Sequence, residues 1–189
     1  MIRAVEKVRD RMLRAVRALD AAKVPYALAG GNAVAAWVAR VDESAVRSTR
    51  DVDLLLRRSD WEAAKRALET AGFAYRRDSM LGRPCGLDLF LDGPDATARE
   101  AVHIVFAREK VRFDSPLESP DVTDSESGDP FRVVTLAALV QMKLTAFRDR
   151  DRTHLRDLLE VGLIDETWLN QLHPALRPRL KSILDTPEG

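Results

Sequence analysis

Tyr26-Ala27-Leu28-Ala29-Gly30-Gly31 is a short apolar run that ends in two glycines. It predicts a buried strand that closes in a tight turn, and a helix over residues 33–40 that begins at an Asn32 cap. Asp51-Val52-Asp53-Leu54-Leu55-Leu56 predicts a second strand, and helical spacing follows it. Strand, helix, strand, helix is typical of a domain in which helices pack on a β-sheet.

Three more strands are predicted at residues 73–77, 87–91 and 102–106. The links between them, residues 82–84 and 93–95, are short and rich in Gly and Pro, which favours antiparallel pairing. An amphipathic helix at the N-terminus, ending near Lys23, covers an apolar surface. The sequence therefore predicts an α+β protein with a mixed sheet flanked by helices.

Residues 114–130 are rich in Ser, Asp, Glu and Pro and contain few large apolar side chains. This composition predicts an exposed acidic loop. Residues 131–189 resume helical spacing. We therefore divide the chain into a core at 1–113 that includes the N-terminal helix, an acidic loop at 114–130 and a C-terminal helical region at 131–189.

The composition narrows the class of protein. Of the 189 residues, 46% are hydrophobic and 32% charged, a balance that supports a folded core. The single cysteine excludes an internal disulfide framework and favours a cytoplasmic location. Thirty basic residues balance thirty acidic ones, so nonspecific attraction to nucleic acid is not expected. No apolar run approaches the roughly 20 residues of a membrane span, and we expect no membrane partner.

The glycines and the aspartates form the candidate site. Asp51 and Asp53 lie two residues apart on a strand, so their side chains project from the same face. Two neighbouring carboxylates repel each other unless a cation joins them, and their oxygens suit Mg²⁺ or Mn²⁺. Gly30 and Gly31 let the backbone approach a phosphate at a helix N-terminus. Each pattern alone is more often structural, and their joint order favours a phosphate and metal site.

The two patterns together resemble the signature of the nucleotidyltransferase superfamily with the DNA polymerase β-like fold. Leu28-Ala29-Gly30-Gly31 and Thr49-Arg50-Asp51-Val52-Asp53-Leu54 match that signature. The Thr-x-Asp-x-Asp form is similar to minimal nucleotidyltransferases and to abortive-infection and toxin-antitoxin toxins. Residues 139–158 look like the helical motif of that group, in which a Lys, here Lys143, faces the nucleotide. The resemblance implies NTP as substrate, Asp51 and Asp53 as metal ligands, and an antitoxin-like partner protein.

One position departs from the family pattern, which usually has a third carboxylate on a later strand. At the expected place this chain has His103, whose neutral imidazole can bind a metal or act as a base but adds no negative charge. Asp88 on the neighbouring strand is the alternative third acid. Both assignments remain open at this point.

Two basic residues are weaker candidates for binding the nucleotide. Lys143 either binds the triphosphate or extends from a packed helix, and Arg50 is either a phosphate ligand or the salt-bridge partner of the aspartates. The leading hypothesis is transfer of a nucleoside monophosphate from NTP–Mg²⁺ to a hydroxyl of a protein, a small molecule or an RNA. The alternative is a catalytically weak relative that binds a nucleotide or a partner protein.

Overall fold

The computed structural model describes residues 2–78, 87–93, 96–97, 100–128 and 130–187. Its α-helices are α1 Ile2–Ala21, α2 Gly30–Val38, α3 Trp61–Thr70, α4 Leu136–Ala146, α5 Asp149–Glu160 and α6 Arg177–Asp185. Its strands are β1 Tyr26–Ala29, β2 Val52–Leu56, β3 Ala74–Asp78, β4 Leu87–Leu91, β5 Ala101–Phe106, β6 Ser125–Ser127 and β7 Arg132–Val134. The predicted α+β class is confirmed.

The described strands form one mixed sheet in the order β3-β4-β5-β2-β1-β7-β6. Strands β2 and β5 are parallel neighbours, as are β1 and β7, and the other adjacent pairs are antiparallel. The antiparallel pairing of β3, β4 and β5 is therefore confirmed. Of the turn residues behind that prediction, 82–84 and 94–95 lie outside the described residues.

Helices cover both faces of the sheet because its central strands are apolar on both sides. On one face, Leu28 and Leu54 pack with Leu19 of α1 and Leu68 of α3. The opposite face carries Ala27 and Leu55, and a core there includes Leu139, Leu144, Leu155 and Leu180 from α4, α5 and α6. Because side chains alternate along β2, Asp53 belongs to this second face, under the C-terminal helices.

The predicted exposed loop at 114–130 is corrected by the structure. It contains β6, which pairs with β7 at the edge of the sheet, and Asp121 and Val122 within it are buried. Asp121 accepts hydrogen bonds from Arg57 at 2.7 Å and contacts Arg108 at 2.6 Å. These two cations follow β2 and β5, so they fasten the acidic segment to the sheet.

Two further predictions need correction. The C-terminal region is not helical throughout, because β7 at its start joins the sheet beside β1. Helix α2 begins at Gly30, so Asn32 lies in its first turn and is not the cap. The division of the chain at residues 113 and 130 remains a prediction. None of the helices in the described part of the chain has the length and apolar character needed to cross a membrane.

Candidate active site

The turn between β1 and α2 is pressed against β2. Gly30 has a φ of +64°, and a Cβ added to it would lie 1.8 Å from Oδ2 of Asp53. A Cβ on Gly31 would lie 2.9 Å from Oγ1 of Thr49. Asn32 donates a hydrogen bond to the backbone oxygen of Asp51 at 2.8 Å, which ties α2 to the start of β2. Gly30 is therefore required by the close approach of the backbone to Asp53, and Gly31 by its approach to Thr49.

Strand register brings the third candidate to the same place. In the parallel pair β2 and β5, Asp53 lies opposite His103. Nδ1 of His103 is 3.6 Å from Oδ1 of Asp53 and 3.9 Å from Oδ2 of Asp51. All three side chains are mostly buried, with exposed fractions between 14% and 23%. The sequence positions 51, 53 and 103 thus converge on one point at the end of two strands.

Asp88, the alternative to His103, lies on the other face of the sheet. Its chain neighbour Leu89 is the residue opposite His103 in the antiparallel pair β4 and β5. Because adjacent residues of a strand point to opposite faces, Asp88 is directed away from His103. Its carboxylate instead accepts a hydrogen bond from the Tyr75 hydroxyl at 2.6 Å. Burial, together with this carboxylate, raises the pKa of Tyr75 to about 12.

Asp51 is held in its charged form by two donors. Burial by itself would raise its pKa. The Thr49 hydroxyl donates to Oδ1 at 2.8 Å, and Arg150 donates to Oδ2 at 2.8 Å. Together these contacts outweigh burial and lower the pKa of Asp51 below its ordinary value. Asp51 is therefore an anion at neutral pH.

The turn between α4 and α5 contributes a second group of charges. Its Phe147 has a φ of 48°, a left-handed conformation at the end of α4. Nζ of Lys143 lies 3.1 Å from Oδ1 of Asp151, and Nε of Arg148 lies 2.7 Å from Oδ2. Burial opposes ionisation of Asp151, but Arg148 and Lys143 lower its pKa below the ordinary value. This cluster joins α4 to α5 at the edge of the site.

These elements enclose a cavity of about 410 Å³, within the range of small-molecule sites. The start of α2 contributes Gly30 and Gly31, and strands β2 and β5 with the residue before β2 contribute Asp51, Asp53 and His103. Helices α4 and α5 and the turn between them contribute Lys143, Arg148, Arg150 and Asp151. The segment after β5 adds Val111, Arg112, Ser115, Glu118 and Ser119. The cavity therefore has an acidic floor on the sheet and a mainly basic wall on α4 and α5.

Most of the predicted site residues line this cavity. Arg50 does not belong to its lining in the described part of the chain. The side chain of Arg50 is exposed, and its backbone oxygen accepts a hydrogen bond from Arg11 at 2.9 Å. The cation beside the aspartates is Arg150, which the sequence reasoning did not single out. The alternation of basic and acidic residues at 148–152, just before helical spacing, is the signal that could have found it.

The chemistry of the donor set decides which cation the site can hold. Among the residues that the structure describes, no three or more His, Cys, Asp or Glu side chains form a group that could hold a metal ion. The two carboxylates beside the glycine turn do suit Mg²⁺, which commonly takes one or two protein carboxylates and completes its shell with substrate phosphates and water. The residues thus fit a cation that is shared with a nucleotide.

Comparison with known proteins identifies the family of this chain. The family model described as "Nucleotidyl transferase AbiEii toxin, Type IV TA system" matches residues 11–185. The chain belongs to this family. This membership confirms that the sequence motifs resemble those of nucleotidyltransferases. A search of curated proteins finds no match.

Two solved structures are similar to this AbiEii-family protein. The solution structure of the antibiotic-resistance factor ANT(2'')-Ia has a TM-score of 0.57 and 15% identity, covering 98% of this chain and 96% of that chain. The crystal structure of ANT(2'')-Ia in complex with adenylyl-2''-tobramycin has a TM-score of 0.44 and 17% identity, covering 92% and 90%. At this identity, the first of them supports the nucleotidyltransferase fold and nothing finer.

Proposed function

We propose that this protein binds a nucleoside triphosphate together with Mg²⁺, or Mn²⁺, and transfers the nucleoside monophosphate to a hydroxyl group. The observation that carries the proposal is that carboxylate oxygens of both Asp51 and Asp53 lie within 4 Å of Nδ1 of His103, beside the glycine turn. Family membership supports the class of reaction. The acceptor class, whether RNA, protein or a small molecule, is left to experiment.

The chain's own residues suit the substrate at both ends of the cavity. Gly30 and Gly31, at the N-terminus of α2, line the cavity, and the helix terminus offers partial positive charge to phosphate oxygens. Asp51 and Asp53 are proposed as the ligands of the cation. When bound, the cation neutralises phosphate charge and polarises the α-phosphorus. Lys143 and Arg150 on the opposite wall are proposed to face the triphosphate.

The transfer forms one bond and breaks another. The acceptor oxygen bonds to the α-phosphorus, the bond from that phosphorus to the bridging oxygen breaks, and pyrophosphate leaves. The acceptor's proton must go to a base. We propose His103 for the third position in the site, beside Asp53, where an imidazole can either take that proton or help to hold the cation.

The test is incubation of the protein with each labelled NTP, Mg²⁺ or Mn²⁺, and in turn total cell RNA, protein and a small-molecule extract. Label should pass to one acceptor class in the wild type and to none in an Asp51→Asn/Asp53→Asn variant. Asp88→Asn is the matched control, since it removes a carboxylate from the same sheet but from the opposite face. Equal labelling by the wild type and the double variant would refute the proposal.

A second function is favoured by the imidazole at the position of a third acid. A site with two carboxylates holds a cation less strongly than one with three, so the protein could bind nucleotide and transfer it poorly. Nucleotide binding without transfer to any acceptor would select this alternative. The family's description as a toxin of a type IV TA system supports an antitoxin-like partner protein for either function.

A further inference from the structure

Arg150 forms a salt bridge with Asp51, one of the two carboxylates that the proposed reaction needs as cation ligands. Its Nη1 lies 2.8 Å from Oδ2 of Asp51, while 58% of its side chain is exposed. Asp51 is 14% exposed and also accepts from Thr49. A guanidinium in this position supplies the positive charge that a cation would otherwise supply to the carboxylate pair. Arg150 and a metal ion therefore compete for the same oxygen.

The neighbouring basic residues are held differently. Arg148 and Lys143 contact Asp151, which is 1% exposed and lies in the interior between α4 and α5. Breaking those contacts would leave a buried carboxylate unpaired, which is costly. Arg150 is 58% exposed at the cavity surface, and a cation that binds Asp51 would replace it there, so this exchange leaves no buried carboxylate unpaired. Of these three cations, Arg150 is the one suited to change partners.

We infer that Arg150 is a triphosphate-positioning residue that exchanges Asp51 for a phosphate oxygen when the nucleotide and its cation bind. The arriving cation takes over Asp51, and the triphosphate offers the released guanidinium a new anion within the same cavity. Guanidinium and phosphate form strong, paired hydrogen bonds, so the new contact compensates for the old one. This inference rests on the proposed function. It adds that the site binds the cation more tightly when a phosphate group is present than when the cation binds alone.

The exchange predicts opposite effects of one substitution on two ligands. Without nucleotide, Arg150→Ala removes the competitor of the cation and frees Oδ2 of Asp51, so Mn²⁺ alone should bind about fivefold more tightly. With inorganic tripolyphosphate and Mg²⁺, the same variant lacks a charged phosphate contact and should bind about tenfold more weakly. A merely structural role for Arg150 would change both affinities in the same direction or neither.

Calorimetric titration of the full chain with these two probes tests the inference. Arg152→Ala is the matched control, because Arg152 lies on the same helix and pairs with Asp149 outside the cavity. It should leave both affinities unchanged, and Arg150→Lys should restore part of the tripolyphosphate affinity. Tripolyphosphate carries no base, so the result does not depend on which NTP the protein prefers.

Two results would overturn the inference. The first is a change of the same sign, or no change, for both probes in Arg150→Ala. The second is a wild type that binds no tripolyphosphate with Mg²⁺. Failure of the proposed function has a different signature, in which the affinities change in opposite directions as expected but no NTP is transferred to any acceptor.

Discussion

Replacing Gly30 by alanine should have two effects that can be measured separately. It strains the backbone of the turn, and it displaces the side chain of Asp53 in the site. Gly30 has a φ of +64°, and its added Cβ would come within 1.8 Å of Oδ2 of Asp53. A residue with a Cβ in the left-handed region costs about 1–2 kcal/mol. In addition, the Asp53 carboxylate must retreat by more than an ångström to restore ordinary contact. Gly30→Ala therefore loses stability and also displaces a proposed metal ligand.

Gly72→Ala is the matched control. Gly72 has a φ of +87°, and an added Cβ there meets nothing within 4 Å. For a chain of this length, the shared backbone cost of about 1–2 kcal/mol lowers the melting temperature by roughly 2–8 °C. Gly72→Ala should show this shift alone. Gly30→Ala should show it and also lose about 10- to 100-fold in affinity for Mg²⁺–NTP, a loss typical of a disturbed metal-ligand shell.

Thermal melts and calorimetric titrations of both variants provide the measurement. The titrations are made below the lower of the two melting temperatures, so that both variants are folded. If Gly30→Ala bound Mg²⁺–NTP as tightly as Gly72→Ala, the close approach of the glycine turn to Asp53 would have no part in binding, and the reasoning would be refuted.

Three further predictions concern single side chains. His103→Asp adds a negative charge beside Asp53 and should strengthen Mg²⁺–NTP binding severalfold in calorimetry; weaker binding would show that the imidazole itself is needed. Asp88→Asn should lower the unfolding free energy by about 1 kcal/mol, because the Tyr75 hydroxyl loses a charged acceptor, and should leave nucleotide affinity unchanged. Arg57 lowers the pKa of Asp121 to about 2, so the stabilisation from this carboxylate is complete above about pH 4 and is lost as pH falls towards 2. Urea unfolding should therefore find Asp121→Asn less stable than wild type at pH 7, with the gap much smaller near pH 2, and an equal gap at both pH values would contradict this assignment.

The core of the fold was predictable because its signals are local. A short apolar run before paired glycines marks β1, an apolar run after Asp53 marks β2, and the mixed sheet follows from short links between later strands. Strand periodicity was also enough to group Asp51 with Asp53. Deciding between His103 and Asp88 required the register of β5 against β2, which one sequence alone does not show.

The missed features depend on contacts between distant residues. Strands β6 and β7 have three residues each in a largely polar segment. The acidic segment before them is fastened by Arg57, 64 positions from its partner Asp121, so composition alone predicts an exposed loop. Arg150 reaches Asp51 across 99 positions, whereas Arg50 is adjacent in sequence and points elsewhere. Proximity in sequence therefore singled out Arg50, whereas the contact with Asp51 is made by Arg150.

The central claim is that Asp51 and Asp53 hold the cation of a bound nucleotide. The most direct measurement is calorimetric titration of each NTP with Mg²⁺ into the wild type and into Asp51→Asn/Asp53→Asn, with a thermal melt to show that both are folded. The wild type should bind at least one NTP in a Mg²⁺-dependent manner, and the double variant should lose this binding. Unchanged affinity in a folded double variant would contradict the claim.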